Sequence, residues 1–248
     1  MQTIRNGGKR YCSQIEMMKL SIVEKPYSCE HCGTKFMKEK TLFVHVCEQK
    51  RRALAKTEKH VQIGYDTYNR FYQKTQKFKG IKTYDEFARS PYYNAFVKFG
   101  SFVSNVNPLY PDRFIDFIVT SGFKLDHWCR DELYDAYVLD LIKSEPVETA
   151  LQRSITHLMN WAEENKAEWN HYFLYVSLSR ATFDIRDGKV SPWLLLNCPS
   201  GKSMLAKFSD EQLEAVALQI DPPFWVNKFK KHRDDVELVK QVVKESKL

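Results

Sequence analysis

The sequence predicts a mainly α protein: a small N-terminal ββα unit, then a long helix and a multi-helix body with at most one short hairpin. Three observations point there. Helix formers run in blocks that open on first-turn prolines, Pro91, Pro111 and Pro146 among them. Apolar residues recur at three- and four-residue steps over most of the chain beyond residue 50. The stretch 25–47 stands apart, because it sets Cys29, Cys32, His45 and Cys47 among three apolar residues, Tyr27, Phe36 and Leu42.

Composition limits the rest. With 248 residues and 43% hydrophobic content the chain can bury a sizeable core, so one main domain plus a small unit is expected. No membrane partner is expected, since no run approaches the ~18 apolar residues of a spanning helix and Met1 to Met18 lack a signal-peptide core. Cys12, Cys129 and Cys198 lie scattered without disulfide-framework spacing, which indicates a reducing, cytoplasmic setting. The charge is asymmetric. Residues 1–82 hold 18 Lys/Arg against 7 Asp/Glu, whereas residues 83–248 hold 20 against 24. A basic end facing a polyanion and a mildly acidic end doing something else is the footprint this leaves.

Residues 1–22 show no period and are expected to be a flexible arm, or an extension upstream of a start near Met18. Residues 23–49 form the next unit. Cys29 and Cys32, two residues apart, can chelate one tetrahedral ion from a tight turn, and Gly33 can supply the positive φ that such a turn needs. His45 can close the site from a short helix starting near Lys38, with Zn2+ as the metal. Cys47 is the expected fourth ligand, with His31, Cys12 and His60 as alternatives. Residues i and i+2 diverge on an α-helix, so Cys47 reaches the metal only if the helix unwinds or bends after His45.

The ligand spacing, the apolar frame and the Glu24-Lys25-Pro26-Tyr27 linker resemble the two-Cys two-His zinc finger, with a variant His-x-Cys end. The resemblance covers about a tenth of the chain. It implies DNA, ahead of RNA, as partner, with Lys38, Thr41 and Val44 at the base-facing positions and Lys40 beside them. Lys-Thr-Val there suits phosphate binding with little sequence preference. More loosely, the layout and the stretch His45 to Arg52 resemble uncharacterised zinc-finger proteins of T-even-like tailed bacteriophages, which implies a host-cytoplasm setting.

Residues 50–80 are expected to be a basic connecting helix, helical from about Lys50 to Gln76 because no Gly falls before position 64 and no Pro before 91. Lys50, Arg51, Arg52, Lys56 and Lys59 join Lys38, Lys40 and Thr41 as the candidate nucleic-acid contacts. Leu54, Val61, Tyr65, Tyr68, Phe71 and Tyr72 form a stripe read as core, with Arg70 and Lys74 left in water.

In the body, 81–248, helices are expected at 83–89, 91–106, 111–120, 126–143 and 146–165, then over Trp169 to Ser179. Asp187-Gly188 reads as the turn of a short hairpin between Phe183–Ile185 and Lys189–Val190. Ser191-Pro192 starts a helix, Ser209 opens a capping box with Gln212, and Asp234 caps a last helix. Pro199 to Ser203 lacks the glycine of a phosphate loop, which would stand at Leu196.

Three functions follow from these readings. The first is a zinc-finger nucleic-acid-binding protein whose acidic helical body contacts another protein. The second is a zinc-stabilised protein-interaction module. The third is a metal-dependent nuclease, for which Asp184, Asp187 and Lys189 carry a suggestive pattern.

Overall fold

The computed structural model describes residues 26–248, so the expected arm, with Cys12, lies outside the described residues. The chain divides after Lys56 into two compact units. The boundary falls inside the expected connecting element 50–80.

The first unit carries strands β1 (Tyr27–Ser28) and β2 (Lys35–Phe36) and helices α1 (Glu39–Phe43) and α2 (Glu48–Leu54). The strands pair antiparallel, Tyr27 facing Phe36. The expected helix from Lys50 to Gln76 does not exist as one element. α2 stops at Leu54, a 3-10 turn follows over Ala55–Thr57, and α3 begins at Lys59. Leu54, counted in the apolar stripe, is 71% exposed. The stripe therefore loses its expected N-terminal member. The spacing that would stack Arg52, Lys56 and Lys59 on a single helix is lost with it.

The second unit is helical throughout its described residues. Its elements are α3 (Lys59–Gln76), α4 (Tyr84–Arg89), α5 (Tyr93–Val106), α6 (Pro111–Thr120), α7 (Asp131–Ser144) and α8 (Val147–Asn165). Then come α9 (Tyr172–Tyr175), α10 (Leu178–Arg186), α11 (Pro192–Leu195), α12 (Pro199–Leu205), α13 (Asp210–Ile220), α14 (Pro222–Lys231) and α15 (Arg233–Ser246).

Two glycines decide how α3 meets α5. A Cβ on Gly64 would stand 2.8 Å from Phe96 O, and one on Gly100 only 2.0 Å from His60 O. The two helices thus touch backbone to backbone, which only glycine permits. Around this crossing lies an aromatic cluster in which Trp128, with its Nε1 donating to Phe123 O at 2.9 Å, meets the rings of Phe71, Phe96 and Phe99. Val61 and Tyr68 are buried, as the stripe required, but Arg70 and Lys74 are not simply hydrated. Arg70 pairs with Asp112 and Asp116, and Lys74 Nζ lies 2.9 Å from Asp116 Oδ1. Those basic residues serve α6 rather than a polyanion.

A second core joins α8 to α15 around Trp161, Tyr172, Trp193 and Trp225. No hairpin forms at Asp187-Gly188. Gly188 takes φ +72° just past the end of α10, where a glycine terminates a helix. Ala181, Thr182 and Ile185 are buried at helical spacing, and this burial outweighs the turn signal. Five smaller expectations also change. The helix expected from 126 begins at Asp131 after a 3-10 turn at Leu125–His127. Trp169 to Ser179 breaks into a 3-10 turn and α9, and the last helix is capped at His232 with Asp234 in its first turn. Pro146 caps α8 instead of opening its first turn, and Pro91 lies in the turn ahead of α5.

Asp184, fully buried on α10, sits among polar and basic side chains. Tyr172 Oη donates to it at 2.8 Å, His157 Nε2 lies 2.9 Å away and Arg180 Nε 3.0 Å away. Desolvation alone would push its pKa up, but His157, Tyr172 and Arg180 outweigh it and hold the carboxyl below the ordinary 3.8. A depressed carboxylate contributes stability above its unfolded pKa and loses it as pH falls through the folded value. Urea midpoints of the wild type are therefore expected to drop steeply below about pH 4, and those of Asp184→Asn, lower at pH 7, to fall less over the same window. Parallel pH profiles for the two proteins would contradict this.

Candidate metal centre

The metal-ligand residues are brought together by three short pieces of backbone. After β1 the chain turns tightly: Gly33 N donates to Cys29 O at 2.8 Å and Cys29 N to Thr34 O at 2.9 Å. Gly33 takes φ +71°, as the turn requires. This turn aims Cys29 and Cys32 at one point. β2 then leads to α1, whose last turn delivers His45 just beyond the helix end, the His45 ring 4.8 Å from that of Phe36.

Cys47 solves the geometric problem of an i, i+2 pair in a way that spacing alone did not suggest. The helix ends at Val44, before His45, and Cys47 has extended backbone (φ −95°, ψ 166°) as the N-cap of α2. Its Sγ also accepts from Lys50 N at 3.4 Å. One sulfur faces the ligand cluster and caps a helix.

The four ligand atoms of Cys29, Cys32, His45 and Cys47 all lie within 4.8 Å of one another. Cys29 Sγ and Cys47 Sγ are 3.9 Å apart, and Cys32 Sγ is 3.3 Å from His45 Nε2. A tetrahedral zinc with Zn–S of ~2.3 Å and Zn–N of ~2.0 Å sets ligand atoms about 3.5–3.8 Å apart. These two pairs lie close to those edges and the widest separation is about 1 Å longer, so the cluster could bind a metal ion after a small inward shift. Among the described residues it is the one group of this kind.

No family model, no curated protein and no solved structure matches this chain. The site is therefore read from its own chemistry. Hydrogen bonds with the Thr34 side chain and backbone, then with His45, lower the pKa of the Cys32 thiol to about 6. Desolvation pushes Cys47 up, against the hydrogen bond from Lys50. Cys29 is buried, Cys32 exposed. Three soft sulfur ligands and an imidazole suit zinc and leave no ligand position for water, which is the pattern of a structural centre.

The candidate nucleic-acid residues distribute unevenly. Lys38, Lys40, Thr41 and Arg51 are exposed on the first unit. Lys50 is half-buried, its Nζ 3.5 Å from His45 O, and Arg52 Nε pairs with Glu48 at 3.1 Å. Lys56 is exposed in the 3-10 turn, and Lys59 opens α3 in the second unit. The Asp184, Asp187 and Lys189 pattern is an ion-pair network, with Lys189 Nζ 3.6 Å from each carboxylate. Asp184 is fully buried with its oxygens taken by His157, Tyr172 and Arg180, so it offers no open metal cleft.

Proposed function

We propose that the first unit is a zinc-bound module that holds the phosphate backbone of nucleic acid, DNA ahead of RNA, with little sequence preference. The acidic helical unit would engage a protein partner, and the setting is cytoplasmic, a host cytoplasm for a viral protein. One observation carries the reading. Residues 26–56 contain seven Lys/Arg and three Glu, and Lys38, Lys40 and Arg51 stand exposed with no ion-pair partner among the described residues. Three thiolates and a zinc sum to −1, so the module keeps a positive charge after loading. Its lysines suit phosphate oxygens, and the small footprint of one such unit is too short for tight sequence readout.

The test is charge reversal at Arg51 and Arg52. Each phosphate contact adds about −0.9 to the slope of log K against log salt on duplex, so losing both flattens the slope by about 1.8. Affinity should drop alike on unrelated DNA sequences, measured by fluorescence anisotropy across a salt series. Unchanged binding would sink the proposal. In that event the protein-interaction reading takes over, and a specific observation favours it: Phe43 is 83% exposed, with Val44, Val46 and Met37 also in water. So much apolar surface on so small a unit is what partner proteins cover.

A further inference from the structure

The helical unit holds a cavity of about 560 Å³ where the end of α7 approaches α11 and α14. Small-molecule sites span about 300–1,000 Å³. Trp193 and Phe224 form its apolar walls, and Lys228 and Lys231 line it from α14. Its other charges are already matched. Glu145 is held by buried Arg153, Asp235 lies 3.2 Å from His232, and Lys143 lies 3.7 Å from Asp221. Lys228 and Lys231 have no carboxylate at ion-pair distance among the described residues. Lys228 Nζ donates to Lys143 O at 2.5 Å, which uses one of its three protons. It also stands 5.3 Å from the Trp193 ring centroid and 5.8 Å from that of Phe224.

Trp193 adds an independent sign. It is almost wholly buried, and its indole N–H has no hydrogen-bond partner among the described residues. Buried donors are nearly always paired. The cavity thus combines aromatic walls, two lysines with no carboxylate at ion-pair distance among the described residues and one unpaired donor on a wall residue.

We propose that this cavity binds a small anion bearing a planar ring, the ring against Phe224 beside the edge of buried Trp193 and the anionic group on Lys228 and Lys231. Aromatic faces and ammonium donors together recognise that chemistry, whereas a neutral ring or a bare anion satisfies half of it. Two sources share it, a nucleoside monophosphate and an aromatic carboxylate. The zinc module and its partner play no part in the argument.

The experiment is a titration of the full chain, 15N-labelled at tryptophan, with AMP and separately with 1-naphthoate, with adenosine and inorganic phosphate as half-probes. Saturable movement of the Trp193 indole resonance is expected with one of the two anions, AMP identifying the nucleotide source and naphthoate the carboxylate. Neither half-probe should move it at the same concentration. Lys231→Glu, at an exposed position, should weaken the successful anion roughly tenfold, about the worth of one charge-assisted hydrogen bond. Trp193→Phe assigns the resonance. If that variant fails to fold, equilibrium dialysis of wild type against Lys231→Glu and Lys228→Met answers the same question. No movement with either anion, adenosine matching AMP, or Lys231→Glu binding like wild type would each overturn the proposal.

Discussion

Cys29→Ala is expected to abolish metal binding and unfold residues 26–56 while the helical unit keeps its full melting transition. The reason lies in what the first unit lacks. Among its described residues only Cys29 is fully buried; Tyr27, Phe36 and Leu42 are only partly buried. An apolar core that small cannot offset the ordering of about thirty residues. Structural zinc supplies ~10–16 kcal/mol in units of this kind, so removing one ligand takes away most of what folds it. Zinc content by elemental analysis should fall from one per chain to near zero. Limited proteolysis should open new cuts after Lys35, Lys38 and Lys40, while far-UV circular dichroism shows the midpoint of the helical unit unmoved. A variant that keeps one zinc and resists cleavage would refute the assignment of Cys29, and loss of the whole helical signal would refute the independence of the two units.

Gly100→Ala is expected to destabilise the helical unit by about 3 kcal/mol or more, the upper part of what overpacking costs. On α-helix propensity alone the sign would be opposite, since alanine is better than glycine in a helix interior by about 1 kcal/mol. The difference is the neighbour. An added methyl would stand 2.0 Å from His60 O and 2.9 Å from Gly64 N, backbone atoms that no rotamer change can move. For a unit of this size the loss corresponds to roughly 6–12 °C in melting midpoint. Gly64→Ala, whose methyl would stand 2.8 Å from Phe96 O, should cost less. The double variant should cost less than the sum, because the first methyl already separates α3 from α5. A neutral or stabilising Gly100→Ala, read by thermal and urea unfolding, would mean the two helices do not cross at these residues.

Much of this architecture was legible because its signals are local. The ligand spacing, the apolar frame and Gly33 all act within one turn and one helix, and the structure gathers the four ligands as the spacing requires. Pro111, the Ser191-Pro192 start and the Ser209–Gln212 capping box likewise act over three or four residues. Other features depend on partners far along the chain. Nothing near Leu54 marks it as exposed, so a helix was read through the break at Ala55–Thr57. Asp187-Gly188 is a turn signal for a hairpin and for a helix end alike, and what separates them is burial of Ala181 and Ile185. Gly64 and Gly100 look like two weak points in two helices. Their meaning is pairwise, and a sequence does not display pairs. The cavity beside Trp193 is of the same kind, since its walls come from residues far apart along the chain, Lys143, Trp193 and Lys228 among them.

Cys47 ties two equilibria together. Its sulfur belongs to the ligand cluster and accepts the first-turn N–H of α2 at 3.4 Å, so the ion and the helix share one atom. Linkage between two such events is reciprocal: if the ion favours the ordered helix by some factor, the ordered helix favours the ion by the same factor. A chelator or an oxidant of that thiol would therefore loosen Arg51 and Arg52 without touching either side chain. Conversely, any partner that grips the helix would raise the affinity for the ion. The four-residue cluster and the helix it caps would then work as one thermodynamic device, although no residue within Glu48–Leu54 is one of the four.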